Sequence, residues 1–307
     1  MDFQRIILIA GIAIISYLMV LQWNQDYGTS AVAPQQVTSV SAYDTDIVTT
    51  DFAVAADVAT NNAGITVTSA ANASAGVLVE VNTDTLQVVI DTQGGDIIQA
   101  SLSNYLAEMD HPDVPFTLLE QNQTRTYVAQ SGLIGANGTD LKARPIFKAQ
   151  QTAYTMLDGQ QSLEVVLSLT DDTGAVINKI YTFNRGSHLV NLTYAVDNRS
   201  NQPWSANLFG QIKRDRSADP SATGGMGMSA YLGPAFSFPD DKYLRYDFDD
   251  MDDANFKRSG PGGWVGMLQH YFVSAWVPNP EQQHNYSTRV SKGNYIAGFV
   301  SPALELQ

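Results

Sequence analysis

Four histidines, His111, His188, His270 and His284, are the side chains of this chain whose ordinary pKa lies near neutrality. Their spacing joins them to nothing. No two stand three or four residues apart and no HExxH occurs, so a zinc-binding helix face with its general base is not in place. The absence of cysteine removes thiolate metal sites, thiol nucleophiles and disulfides together. There is no GxSxG elbow, P-loop or GxGxxG following a strand, and the pairs Gly94-Gly95 and Gly224-Gly225 read as turns. The run Asp247, Asp249, Asp250, Asp252, Asp253 has the acid density of a calcium loop. It lacks the glycine of the sharp turn, however, and Arg258 stands where the chelating glutamate belongs, which favours a solvated acidic loop. The expectation is therefore no catalytic residue, no metal ligand, no cofactor and no enzyme activity. One cluster runs against the acidic trend: Lys213, Arg214 and Arg216 are a candidate partner surface for lipid headgroups or an acidic protein, or else charges that keep a strand end soluble and unpaired.

The elements that would carry these residues are strands. After Gly76 the apolar period becomes two, in Val77–Val81, Leu86–Ile90 and Ile97–Leu102, and again in Leu163–Leu169, Val176–Phe183, Leu189–Val196, Leu208–Ile212, Tyr271–Val277 and Tyr295–Val300. Asp171-Asp172-Thr173-Gly174 and Arg185-Gly186-Ser187-His188 are placed as hairpin turns between neighbouring runs. Short alternating runs with turns between them predict an all-β, antiparallel sandwich over residues 77–307. Residues 263–269 are the one helix candidate, with strand as the alternative. The stretch 218–263, mixing Gly, Pro, Met, aromatics and acids, reads as long loops at an edge of the sandwich. With 31 acidic against 17 basic residues the chain carries −14, which repels phosphate backbones and excludes nucleic acid as a partner.

The first segment has a different solvent. Ile6 to Trp23 is free of charge, and as a helix of that length it would span about 27 Å, close to a bilayer core. Trp23 closes the run at the interface, and Arg5 precedes it, whereas no Lys or Arg follows until Arg125. Residues 1–23 are thus expected to be a transmembrane anchor with the N-terminus in the cytoplasm and the bulk of the chain periplasmic, which makes inner-membrane lipid a partner. A cleaved signal peptide is the rival, since Ala31-Val32-Ala33 is a small-x-small site. That site lies well beyond the apolar run and would leave Pro34 just after the cut. Residues 24–76, with five Asp, no basic residue and three aromatics, bury too little to offset ordering and read as a flexible linker.

The densest apolar stretch after the anchor is Gly262-Gly263-Trp264-Val265-Gly266-Met267-Leu268-Gln269-His270-Tyr271-Phe272, continued by Ala275-Trp276-Val277-Pro278. Either a central strand pair or an apolar cleft would use it. It resembles the GGWVAMLQxYFxxAWIP block of the YidC membrane protein insertase family, with Gly266 where alanine is usual. The start Met1–Arg5, the segment Trp23–Asp26, and Ile90–Asp96, Gln130–Leu133 and Phe209–Lys213 resemble the family in order and spacing. The resemblance covers residues 1–26 and 77–307. It implies a Gram-negative inner-membrane protein whose periplasmic domain is a β-supersandwich like that of galactose mutarotases. It implies a chaperone-like role in protein transport, assisting insertion, folding and assembly of membrane proteins, with this domain docking to the Sec translocon and its accessory subunits. Insertion itself, and contact with nascent membrane proteins, would belong to further transmembrane helices and a polar groove. No second apolar span follows Trp23 before Gln307, so no insertion residue is carried over to a position here. The rival function is a periplasmic sugar-binding or aldose mutarotase-like module, which needs an acid and a base, His and Glu, converging on one pocket.

The anchor reading is checked by mass spectrometry of the mature protein. The expected N-terminal peptide retains Arg5 and Ile6; a new terminus at Pro34 would overturn it.

Overall fold

A computed structural model describes residues 76–306, apart from 109, 110, 112, 142, 201 and 222–229. The expected anchor with Arg5, Ile6 and Trp23, and the expected linker up to residue 75, lie outside the described residues. Among the described residues no helix is long and apolar enough to cross a membrane.

The described chain is almost entirely β. It begins with β1 (Leu78–Asn82), β2 (Leu86–Asp91), β3 (Asp96–Leu106), β4 (Pro115–Gln121), β5 (Thr126–Ile134), β6 (Lys148–Ala149) and β7 (Ala153–Thr155). There follow β8 (Ser162–Thr170), β9 (Val176–Asn184), β10 (Val190–Asp197), β11 (Trp204–Arg214), β12 (Gly233–Ser237) and β13 (Leu244–Arg245). The last part holds a short helix α1 (Phe248–Asp253), then β14 (Lys257–Pro261), β15 (Trp264–Leu268), β16 (Val273–Trp276), β17 (Gln283–Ser291) and β18 (Asn294–Leu306). Ten strands make one large sheet in the order β14-β17-β18-β11-β5-β4-β3-β2-β1-β7, antiparallel except where β7 runs parallel to β1. Two four-stranded sheets accompany it, β10-β9-β8-β6 and β13-β12-β15-β16.

Alternation explains the first small sheet. In β8 and β9 every second side chain is buried, and Val165, Leu167, Ile177, Tyr181 and Phe183 join Val79, Val81, Val88 and Ile90 of the large sheet in one core. The hairpin between β8 and β9 forms as the sequence predicts: the Asp171 carboxylate accepts from the amides of Thr173 and Ala175 at 2.8 and 2.9 Å, an Asx turn. The second small sheet closes its own core, where Phe236, Phe238 and Val265 meet Tyr286, Ala297 and Phe299.

Two expectations are corrected, and one open alternative is decided. The stretch 218–263 is no decoration of loops, since β12, β13, α1 and β14 lie in it and Phe236 and Phe238 are nearly inaccessible. The helix candidate at 263–269 is strand β15, because Val265, Gly266 and Met267 are all buried and a strand covered on both faces shows no alternation. The acidic run is a helix. Asp247 caps it, accepting from the amides of Asp249 and Asp250 while Asp250 reaches back to the Asp247 amide, and Phe248 and Met251, three apart, bury its inner face.

Leu167 is fully buried where the first small sheet meets the Gly95 turn. Leu167→Ala is expected to lower unfolding free energy by about 2–5 kcal/mol. Denaturant titration should show a reduced midpoint at unchanged slope; an unchanged midpoint would place Leu167 outside the core.

Candidate functional site

The two small sheets stand apart over the large one, and between them lies a cleft of about 820 Å³. Its floor comes from one face of the large sheet, in alternate residues such as Leu86 and Val88 of β2 and Ala100 and Leu102 of β3. The walls differ. Leu189 to Thr193 and Tyr271 to Asn279 line it residue after residue, without alternation. Consecutive lining means that each wall offers its backbone edge, because a strand face contributes only every second side chain. Among the described residues no Asp, Glu, Lys or Arg lines the cleft, and His188 is its one histidine.

The apolar segment 262–278, expected to be either core or cleft, is both. Met267 enters the main core and Val265 the smaller one, while Tyr271, Val273 and Val277 are more than half exposed at the rim, at 67, 53 and 65%. The strand predicted over Tyr271–Val277 is shorter, since Gln269 N–H closes a turn onto the Phe272 carbonyl at 2.9 Å. Phe272 stacks on Phe116 at 4.3 Å between ring centres, and such contacts contribute about 0.5–1.5 kcal/mol beyond burial. Trp276 donates from Nε1 to the Gln211 carbonyl at 3.0 Å, lying over Gly210, where an added Cβ would come within 3.0 Å of the indole. Tyr127 holds the hairpin from below, its hydroxyl 2.7 Å from Ser274 Oγ and 3.2 Å from the Met267 carbonyl. Gly262 accepts from the Tyr286 hydroxyl, Gly263 backs onto the Ser237 carbonyl, and Pro278 is buried, whereas Trp264 and Leu268 are half-buried.

The basic cluster is not one surface, which corrects the candidate partner site. Arg214 is fully buried: its guanidinium lies 4.8 Å over the Tyr127 ring and donates to Gln269 Oε1 and the Ser217 carbonyl at 3.1 and 3.0 Å. Arg216 is exposed but held by Asp249 and Asp252 of α1 and by the Tyr295 hydroxyl. Lys213 is half-buried. Side chains of β11 alternate faces, so Lys213 and Arg214 cannot point the same way.

No local pattern in the sequence marks the buried polar knot that the fold assembles. Under the Gly94-Gly95 turn, Arg144 bridges Asp96 and Asp140. Fully buried Lys179 donates to the carbonyls of Gly94 and Ser131 at 2.9 and 3.0 Å, with Asp96 4.0 Å away. Gly94, at φ +79°, leaves room for the Arg144 guanidinium, which a Cβ would meet at 2.3 Å. Burial pulls Lys179 down to about 7 against the attraction of Asp96. Asp96 and Asp140 hold Arg144 charged against its own burial, while burial pushes the Asp140 carboxyl above its ordinary value against the opposing pull of the Arg144 guanidinium.

Among the described residues no group of three or more His, Asp or Glu is placed to hold a metal ion. His284 is buried, its Nε2 donating to the Asn279 carbonyl at 2.7 Å and its Nδ1 accepting from Ser301, while His188 and His270 are exposed.

The family model described as YidC periplasmic domain matches residues 78–307. The chain is similar to proteins named membrane protein insertase YidC. That of Azotobacter vinelandii is 45% identical over 312 residues, covering 100% of this chain and 56% of the relative. That of Pseudomonas aeruginosa is 41% identical over 333 residues, covering 100% and 57%. The chain thus spans somewhat over half the length of these curated relatives. Among solved structures, a galactose mutarotase related enzyme from Lactobacillus acidophilus aligns at TM-score 0.41 and 12% identity, over 74% of this chain and 85% of that one.

Lys179 gives a pH signature. Its folded pKa of about 7 lies below the ordinary 10.5, so between these values the unfolded chain binds more protons and stability rises with pH. Below about 7 both states are protonated and the burial penalty is fully present. The unfolding free energy of the wild type, minus that of Lys179→Met, is expected to climb from pH 7 upward in denaturant titrations. A difference flat with pH would remove the buried ammonium from the balance.

Proposed function

The chain belongs to the YidC membrane protein insertase family, and from that membership we propose that it is the membrane-anchored periplasmic part of an inner-membrane insertase, acting by docking and not by chemistry. The observation that carries this reading is the cleft: apolar, free of charged side chains, and rimmed by exposed Tyr271, Val273 and Val277. Apolar surface left open at a concave site fits a binding role. Its occupants are segments of membrane proteins in assembly or the subunits of the Sec translocon, brought close by the anchor at residues 1–23. The linker 24–76 supplies reach, about 40 Å on a coil estimate. With 25 acidic against 16 basic residues over 77–307, a negative surface keeps the domain from lying flat on anionic lipid.

A mutarotase would need a general acid and base facing one sugar. The cleft offers His188 without a carboxylate beside it, which supports the non-enzymatic reading.

Photo-crosslinking residues at Tyr271 and Val277, compared with one at exposed Asp172 in the β8–β9 turn, test the proposal in membranes that are synthesising protein. Adducts with translocon subunits or nascent membrane proteins are expected from the two rim positions alone. Adducts from Asp172 with none from the rim would overturn it, as would anomer exchange of galactose, followed by NMR, that His188→Ala abolishes.

A further inference from the structure

Of the strand edges in the three sheets, those that face solvent are blunted. β14 ends the large sheet with Lys257, Arg258 and Pro261, β7 ends it on the other side with 3 residues, and β6 and β13 each have 2. Charge, proline and brevity are the ordinary means of keeping an open edge from pairing with another chain. The two edges that flank the cleft carry neither charge over their apolar run nor proline, and β10 is not short. β10 runs for 8 residues, of which Val190 to Val196 carry no charge, and among the described residues it pairs only with β9. β16 is Val273-Ser274-Ala275-Trp276, also without charge, and among the described residues it pairs only with β15. Both line the cleft with consecutive residues, so their backbone N–H and C=O groups are what the walls offer.

We propose that the cleft takes an extended, uncharged polypeptide segment, which joins the free edge of β10, of β16 or of both as an added strand while its apolar side chains settle on the floor. This rests on the docking reading above and names what is docked. Strand addition draws affinity from main-chain hydrogen bonds and preference from the pockets beneath alternate side chains. Here the floor is Leu86, Val88, Ala100 and Leu102, with Phe272 and Trp276 beside it, and it carries no partner for a charge. A charged side chain seated there would be desolvated without compensation. A sugar would meet hydrocarbon in place of a ring of hydrogen-bonding side chains, and an acyl chain would leave both strand edges unsatisfied. A polypeptide with alternating apolar residues satisfies floor and walls together.

The test uses the 307-residue chain held in lipid nanodiscs, with a short end-capped peptide of alternating Val and Thr as probe. Hydrogen–deuterium exchange should slow on peptide addition at amides of Val190–Val196, of Val273–Trp276 or of both, and elsewhere stay unchanged. By fluorescence anisotropy, Leu192→Asp combined with Val273→Asp should weaken binding by about tenfold or more. Asp172→Ala should bind as wild type, and the melting temperature of each variant shows whether it folds. If the paired substitution does not fold, Val273→Lys alone, at the exposed rim, serves the same purpose. Peptide binding without slowed exchange at either edge would overturn strand addition, as would binding of galactose or a fatty acid but not of the peptide. Should the peptide fail while rim crosslinks to membrane proteins persist, this inference falls and the docking reading stands; loss of both sinks both.

Discussion

The position of the first small sheet depends on one buried knot of charge. Two carboxylates, a guanidinium and an ammonium cannot be taken out of water separately, and an unpaired member costs roughly 3–5 kcal/mol. Arg144 answers Asp96 and Asp140, and Lys179 and Tyr181 reach from β9 to the carbonyls of Gly94, Ser131 and Gly95. The Lys179 and Tyr181 bonds run from the first small sheet to the large sheet and its β2–β3 turn. A buried ion pair adds little net stability over a well-packed apolar pair, so the consequence is one of placement. With β9 tied to the β2–β3 turn and to β5, the edge strand β10 can stand in only one place above the large sheet.

The second small sheet is placed by a different device. Apolar packing alone would let the β15–β16 hairpin slide, because such contacts have no direction. Three directed contacts stop it: Tyr127 to Ser274 and Met267, the Trp276 indole to the Gln211 carbonyl, and Arg214 to Gln269 next to the hairpin turn. Gly210 makes the second possible by allowing the indole down onto the sheet. The cleft is the gap left between two bodies that are each pinned to the same floor, so its width follows from Arg144 and Lys179 on one side and from Trp276 and Tyr127 on the other.

Half-buried strands with one wet face were legible in the sequence. β8, β9 and β10 follow the period of two, and the turns at Asp171 and Arg185 fall where they were placed. β5 was not legible, since most of Tyr127–Ile134 is buried whichever way a side chain points, and β17 was not, since its apolar residues are few. The aromatic block pointed at the site because large apolar residues cluster there, but that it turns an edge into a cleft depends on partners such as Phe116 and Gly210, distant in sequence. The knot had no local signature at all. Its members come from residues 96, 140, 144 and 179, and an isolated lysine in β9 looks like any solvated residue until a second sheet covers it. The basic cluster misled for the same reason: proximity in sequence says nothing of face, and Arg214 found aromatic and polar partners in the core while Arg216 found its own at the surface.

An open strand edge is a hazard on a convex surface, where any flat sheet edge can pair with it. Recessed between two walls, it meets a narrower set of partners. The edge of a folded domain brings its own second layer and cannot reach the floor, whereas a single extended chain can enter, align and pair. Side chains add a further condition, because the neutral lining rejects charge while the −14 of the whole chain repels acidic segments before they arrive. Under the proposed strand addition, what the geometry would sort is therefore the state of a chain more than its sequence: unpaired, extended and apolar. Those are the properties of a membrane-protein segment before it has found its helix or its neighbours.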